Sequence, residues 1–315
     1  MILLFLKQLI SLLTSPSRML GRSWLAELCM RATRELFVKG QKRSLLEFRA
    51  SLDNSVGYHP ALAKVSIQQR HLEGVPCSMV IPISGMKSKK VIVYFHGGGY
   101  TVGSAKSHRT ILAQLAVDTQ CLVICPDYRL APEHRFPAAQ IDCLTVARLV
   151  LNTHSDKEVI LAGDSAGGAL AISTALQLAN IDIKQPDKLV LLSPWVNPLA
   201  ATGSMISNDK NDFLSSDFLE SSMSVLMQGQ SLTHSCINFL NTPLSSMPKT
   251  LVQCGTGEIF HDQISEFCER AKLEGVELEF QVYGTQFHVF QLFSAVLKDA
   301  KIALKRVSGF ILESK

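Results

Sequence analysis

The stretch from Glu158 to Leu178 limits what this chain can fold into more than any other. Val159 to Ala162 is a short apolar run, long enough for a buried strand and too short for a helix. From Ala166 onward, Leu170, Ile172, Ala175, Leu176 and Leu178 take up helical spacing. Between the two lies Gly163-Asp164-Ser165-Ala166-Gly167, a G-x-S-x-G pattern. A serine on a sharp strand-to-helix turn requires strand and helix to pass very close together. Side chains two residues before and after that serine would collide, so both positions demand glycine. Ser165 is therefore expected in a strained backbone conformation, its hydroxyl pushed out of the sheet as a candidate nucleophile.

A second glycine cluster, His96-Gly97-Gly98-Gly99-Tyr100, follows directly on the apolar run Val91 to Phe95. Consecutive glycines at a strand end are entropically costly, which points to a geometric demand. The demand that fits is backbone N–H groups aimed at a ligand oxygen with no side chain in the way. Gly97, Gly98 and Gly99 are the candidate donors for an oxyanion, joined by the N–H of Ala166, next after the serine. The spacing matches neither G-x-x-x-x-G-K-[ST] nor a G-x-G-x-x-G that opens a helix.

Around these two features, short strands alternate with helices. Strands are expected at Cys77–Ile83, Lys90–Phe95, Cys121–Cys125, Lys188–Leu192, Thr250–Cys254 and Leu278–Tyr283. Helices are expected at His108–Thr119, Pro137–Asn152, Ser216–Met227 and Asp262–Leu273, with a last one running from His288 to about Ser308. This alternation predicts an α/β fold: a mostly parallel central sheet with helices on both faces. Ligands of such sheets bind at the carboxyl ends of the strands, where Ser165 lies. Residues 199–245 interrupt the alternation and are long enough to act as a lid or binding element. Residues 1–74 read as helical, which suggests a cap made of 1–74 and 199–245 over a core of 75–198 and 246–315. Met1 to Thr14 reads as an amphipathic helix that either packs on the protein or makes peripheral contact with a membrane; it is shorter than a bilayer span.

With 315 residues, 47% apolar and 18% charged, the composition is that of a globular protein. The net charge of +4 is spread out, without a basic block or interleaved aromatics, so nothing points to nucleic acid. Eight cysteines with no C-x-x-C pair read as buried free thiols in a reducing, cytoplasmic setting. No metal-ligand spacing is visible, and oligomeric state is not legible.

Four segments together carry a family resemblance: His96 to Tyr100, Tyr128 to Ala138, Gly163 to Gly168, and Gly284 to Phe293. In that order they resemble the hormone-sensitive-lipase family of α/β-hydrolases. The resemblance implies an α/β-hydrolase fold with a helical cap and a serine carboxylesterase activity on a small-molecule ester, without cofactor or metal; an apolar pocket walled by Tyr100, Trp195 and the cap would suit short to medium acyl chains. It implies that Tyr128 to Ala138 is a structural loop beside the oxyanion glycines. In this fold class the triad runs serine, acid, histidine along the chain. His288 follows the last strand and lies in the family's His-x-Phe-Gln-Leu-Phe context, which makes it the expected base. For the acid, Glu258 matches the family position after strand Thr250–Cys254, and Asp262 is the alternative, with the capping of the next helix as its structural role. Tyr100 and Trp195 are expected to line the substrate pocket. Two rival readings are a non-catalytic ligand-binding protein on the same fold and a lipase working at membrane surfaces.

Overall fold

A computed structural model describes residues 19–181, 183–199 and 203–314. The expected helix at Met1 to Thr14 lies outside them. Eight strands form one sheet: β1 Val65–Leu72, β2 Val75–Pro82, β3 Lys90–Phe95, β4 Leu122–Pro126, β5 Glu158–Asp164, β6 Lys188–Leu192, β7 Lys249–Gly255 and β8 Leu278–Tyr283. Their spatial order is β1-β2-β4-β3-β5-β6-β7-β8. Strands β3 to β8 are parallel, and β1 and β2 add an antiparallel edge.

Every side chain of β3 is buried, as a parallel strand covered on both faces requires. The pleat sends alternate residues to two cores. Val91, Val93 and Phe95 pack with α4 (Ala138–Thr153), α5 (Ala166–Asn180) and α8 (His261–Leu273). Ile92 and Tyr94 pack on the other face with α3 (Arg109–Thr119) and α9 (Lys298–Leu312).

The remaining helices lie outside this frame. Helix α1 (Trp24–Gly40) starts at Ser23, whose hydroxyl accepts from the Ala26 N–H, and α2 (Leu45–Ser55) starts with a capping box between Ser44 and Glu47. The insertion contributes the single turn α6 (Ser204–Ser207) and α7 (Ser216–Met227). An aromatic cluster joins the two groups: the Phe37 ring lies 5.4 Å from Phe48, 5.0 Å from Phe213 and 5.3 Å from Phe218. No helix among the described residues is long and apolar enough to cross a membrane.

Two expectations need correction. The sheet begins at Val65, inside the segment 1–74 that reads as helical. Strand β1 is an exposed edge of sequence Ser-Ile-Gln-Gln-Arg-His, so it carries no apolar period to announce it. The last helix does not run on from His288. Val289 adopts φ +47°, which breaks the path; one 3₁₀ turn follows at Phe290–Phe293, and α9 starts only at Lys298.

Candidate active site

Ser165 sits at the carboxyl end of β5, at φ 53° and ψ −121°, a strained conformation for a residue with a side chain. The turn is held by its own backbone: the Ser165 N–H donates to Leu192 O at 3.0 Å, and Trp195 N–H donates to Ser165 O at 3.0 Å. A β-carbon on Gly167 would meet Phe95 O at 2.0 Å, and one on Gly163 would meet Gly167 O at 2.4 Å. The glycines are thus fixed by close approach of strand and helix.

Beside the serine, the glycine loop divides its N–H groups between two tasks. Gly97 donates to Asp164 Oδ1 at 3.1 Å and is not available to a ligand, which corrects its place among the oxyanion donors. The N–H groups of Gly98, Gly99 and Ala166 have no acceptor among the described residues. Gly98 holds φ +127°, with no room for a β-carbon against the Val102 carbonyl. Asp164 anchors the loop from below. It also accepts from Tyr94 Oη at 2.8 Å and lies 3.3 Å from His108 Nε2. Burial opposes its charge, but His108 and the Tyr94 hydroxyl outweigh burial and hold the carboxyl below its usual range. His96, stacked on Tyr128 at 4.2 Å, is pushed down to about 3 by burial and by His108. The Tyr128 hydroxyl donates to His96 O at 2.7 Å, so the Tyr128 loop does brace the glycines. Its charged residues lie nearer the surface: Arg129 pairs with Asp142, and Glu133 with Arg49.

Across the cavity, His288 Nδ1 is 2.9 Å from Glu258 Oε2, and both side chains are buried. Burial alone would favour the neutral imidazole. The hydrogen bond and charge of Glu258, with smaller contributions from Asp212 and Asp164, raise its pKa above the ordinary value of 6.5. Asp262 is not at the histidine. Its Oδ2 accepts from Ser204 N–H at 2.7 Å, while its own N–H donates to Ser204 Oγ at 2.9 Å, so the starts of α6 and α8 cap each other. Among the described residues no direct hydrogen bond joins Ser165 to His288, but both line one cavity of about 560 Å³.

A family model for the α/β-hydrolase fold matches residues 92–292. The chain belongs to this family. An esterase of Acinetobacter venetianus is 32% identical over 266 residues, covering 83% of this chain and 87% of that protein. The esterase LipU of Mycobacterium tuberculosis is 28% identical, covering 80% and 86%. Among solved structures, a hormone-sensitive lipase from a metagenome library superposes with a TM-score of 0.81 at 31% identity, over 89% of this chain and 96% of that one. An esterase from the bacterial hormone-sensitive lipase family gives a TM-score of 0.83 at 28% identity, over 89% and 95%. The resemblance read from the motifs therefore extends to the whole fold.

The cavity of this α/β-hydrolase is walled mainly by apolar side chains outside the sheet, including Leu28, Phe37, Leu52, Phe218 and Phe293. Tyr100 and Trp195 are not among its lining residues. They are buried behind the glycine loop, their rings 6.1 Å apart, with Trp195 stacked on Phe260 at 5.8 Å. Sequence reasoning also missed three polar residues that hold the loops of Glu258 and His288. Ser193 donates to Glu258 Oε1 at 3.1 Å and accepts from Val289 N–H at 3.2 Å. Asp212 accepts from Ile259 N–H at 2.9 Å and from His288 N–H at 3.1 Å. Arg22 donates to Thr285 O at 2.7 Å and lies so close to Gly257 that a β-carbon there would meet it at 2.4 Å. Asp212, in the run Asn208-Asp209-Lys210-Asn211-Asp212, has the sequence appearance of a solvated turn.

Proposed function

We propose that Ser165, His288 and Glu258 are the catalytic triad of this α/β-hydrolase, with the N–H groups of Gly98, Gly99 and Ala166 as its oxyanion hole. Ester hydrolysis is the activity named for relatives that match the chain over most of both lengths, and the chain is an ester hydrolase. The observation that carries the triad reading is the cavity: Ser165, His288, Gly98 and Gly99 all open onto it.

In the first half-reaction His288 Nε2 takes the Ser165 proton as Oγ bonds to the ester carbonyl carbon. This requires the two atoms to close to about 2.6–3.2 Å, a contact that often tightens only when substrate is bound. The carbonyl oxygen becomes an oxyanion against donors that have no competing acceptor among the described residues, so no hydrogen bond there must break to receive it. Glu258 holds the Nδ1–H and stabilises the imidazolium. The C–O bond to the alcohol breaks as His288 returns the proton, leaving Ser165 acylated. Water, activated by the same imidazole, then releases the acid.

A cavity of about 560 Å³ with an almost wholly apolar wall supports an ester bearing an extended apolar group. It suits medium chains at least as well as short ones. The side chains that α1, α2 and α7 place in its walls support their reading as a cap, with the core sheet starting at Val65. All eight cysteines are free, which supports a reducing compartment. The test is turnover of p-nitrophenyl butyrate. Ser165→Ala is expected to lower kcat by about 10⁴-fold or more; activity near that of the unaltered enzyme would remove Ser165 from its role.

A further inference from the structure

Asp212 is fully buried, and its carboxylate receives three backbone N–H groups. Oδ1 accepts from Phe213 at 2.8 Å and from His288 at 3.1 Å, and Oδ2 accepts from Ile259 at 2.9 Å. One side chain from the insertion thus ties the residue after Glu258 to the backbone of His288 itself. Ser193 makes the matching bridge from the sheet side, but with a neutral hydroxyl. We propose that Asp212 is a positioning residue for the acyl-transfer reaction, holding the Glu258 and His288 loops in register and giving the imidazolium a second negative neighbour. The proposal rests on the triad reading above.

The charge is what calls for a function, because neutral acceptors could satisfy the same N–H groups. Two buried carboxylates beside a neutral imidazole repel each other, and that cost falls when the imidazole takes a proton. An arrangement of this kind stabilises the transition state more than the resting enzyme. The other charges near this point are ion pairs, Arg22 with Glu27 and Arg34 with Asp209. Arg22 is buried, and its charge is felt at Asp212; Arg34 donates to Asp212 O at 2.8 Å. Burial first, and Glu258 second, push the Asp212 carboxyl up to about 6, against the opposing pull of His288 and the N–H groups of Ile259 and His288. Asp212 is therefore ionised at neutral pH and loses its charge as the pH falls through about 6.

The signs follow. Activity needs neutral His288, so kcat/KM falls as pH drops below the His288 pKa, which Asp212 helps to raise. Removing the Asp212 charge lowers that pKa and moves the acid limb to lower pH.

The experiment is p-nitrophenyl acetate hydrolysis by the full chain, by Asp212→Asn and by Asp212→Ser, from pH 5 to 9, per site titrated with a fluorophosphonate. Both variants are expected to lose about 10- to 100-fold in kcat with KM within about threefold, and to shift the acid limb down by about half a pH unit. The serine variant, smaller than aspartate, carries the test if the asparagine variant misfolds. The unaltered enzyme provides a measurement independent of both: below pH 6, with circular dichroism unchanged, log kcat/KM should fall with a slope above one, because His288 and Asp212 both take protons. A kcat within twofold of the unaltered enzyme, a loss confined to KM with the limb unmoved, or a slope of one throughout would overturn the proposal. Fluorophosphonate labelling of Ser165 in the unaltered enzyme separates these outcomes from failure of the triad reading.

Discussion

The two halves of the proposed site are built on different terms. The nucleophile half consists of β3, β5 and the start of α5, where glycines let backbones touch and unpaired N–H groups result from the path of the chain. Its supports, Asp164, Tyr94 and Tyr128, all come from the core. The acid–base half consists of two loops, after β7 and after β8. Its supports are side chains, and two of them, Arg22 and Asp212, reach in from segments outside the sheet. The first half is rigid by sterics. The second is assembled by charge and hydrogen bonds, and it depends on the elements that wall the cavity.

The largest effect that sharpens this contrast is at Glu258. Glu258→Ala should lower kcat by about 10³-fold or more while the nucleophile half stays intact. Asp262→Ala should leave kcat within a fewfold and instead cost about 1 kcal/mol of stability, since it removes the acceptor that caps α6. Steady-state kinetics and thermal melts on the two variants check this, and the opposite ranking would move the acid to Asp262. A smaller effect tests the apolar walls that α1, α2 and α7 contribute. Across p-nitrophenyl esters from acetate to octanoate, kcat/KM should rise by up to about fourfold per methylene, the equivalent of about 0.8 kcal/mol for full burial. A series that falls beyond butyrate would mean that the cavity does not receive the acyl chain.

The same contrast explains what the sequence made legible. Gly163, Gly167 and Gly98 stand where a side chain would strike backbone, so their chemistry can be read directly from residue type and spacing. Strands β3 and β6 fall at their expected bounds because buried parallel strands are nearly continuous apolar runs, and the edge strand β8 does so through its alternation of Leu278, Phe280 and Val282 with Glu279 and Gln281. His288 and Glu258 were legible through chain order and family context, and the structure brings them together. What escaped had no local signal. Strand β1 is a polar edge. Tyr100 and Trp195 are aromatics whose burial behind the loop depends on distant packing. Gly97 shares its residue type with two free donors but gives its N–H to Asp164. Asp212 is indistinguishable in sequence from the partly exposed Asp209 three residues before it, since only the tertiary fold takes Asp212 out of water.

The central claim is that Ser165 becomes covalently acylated with His288 as its base, and mass spectrometry after exposure to a fluorophosphonate ester tests it most directly. The expected result is one adduct per chain, on the peptide bearing Ser165, formed rapidly by the unaltered protein and at least about 10³-fold more slowly by His288→Ala. An adduct on another residue, or labelling of Ser165 at the same rate without His288, would contradict the account.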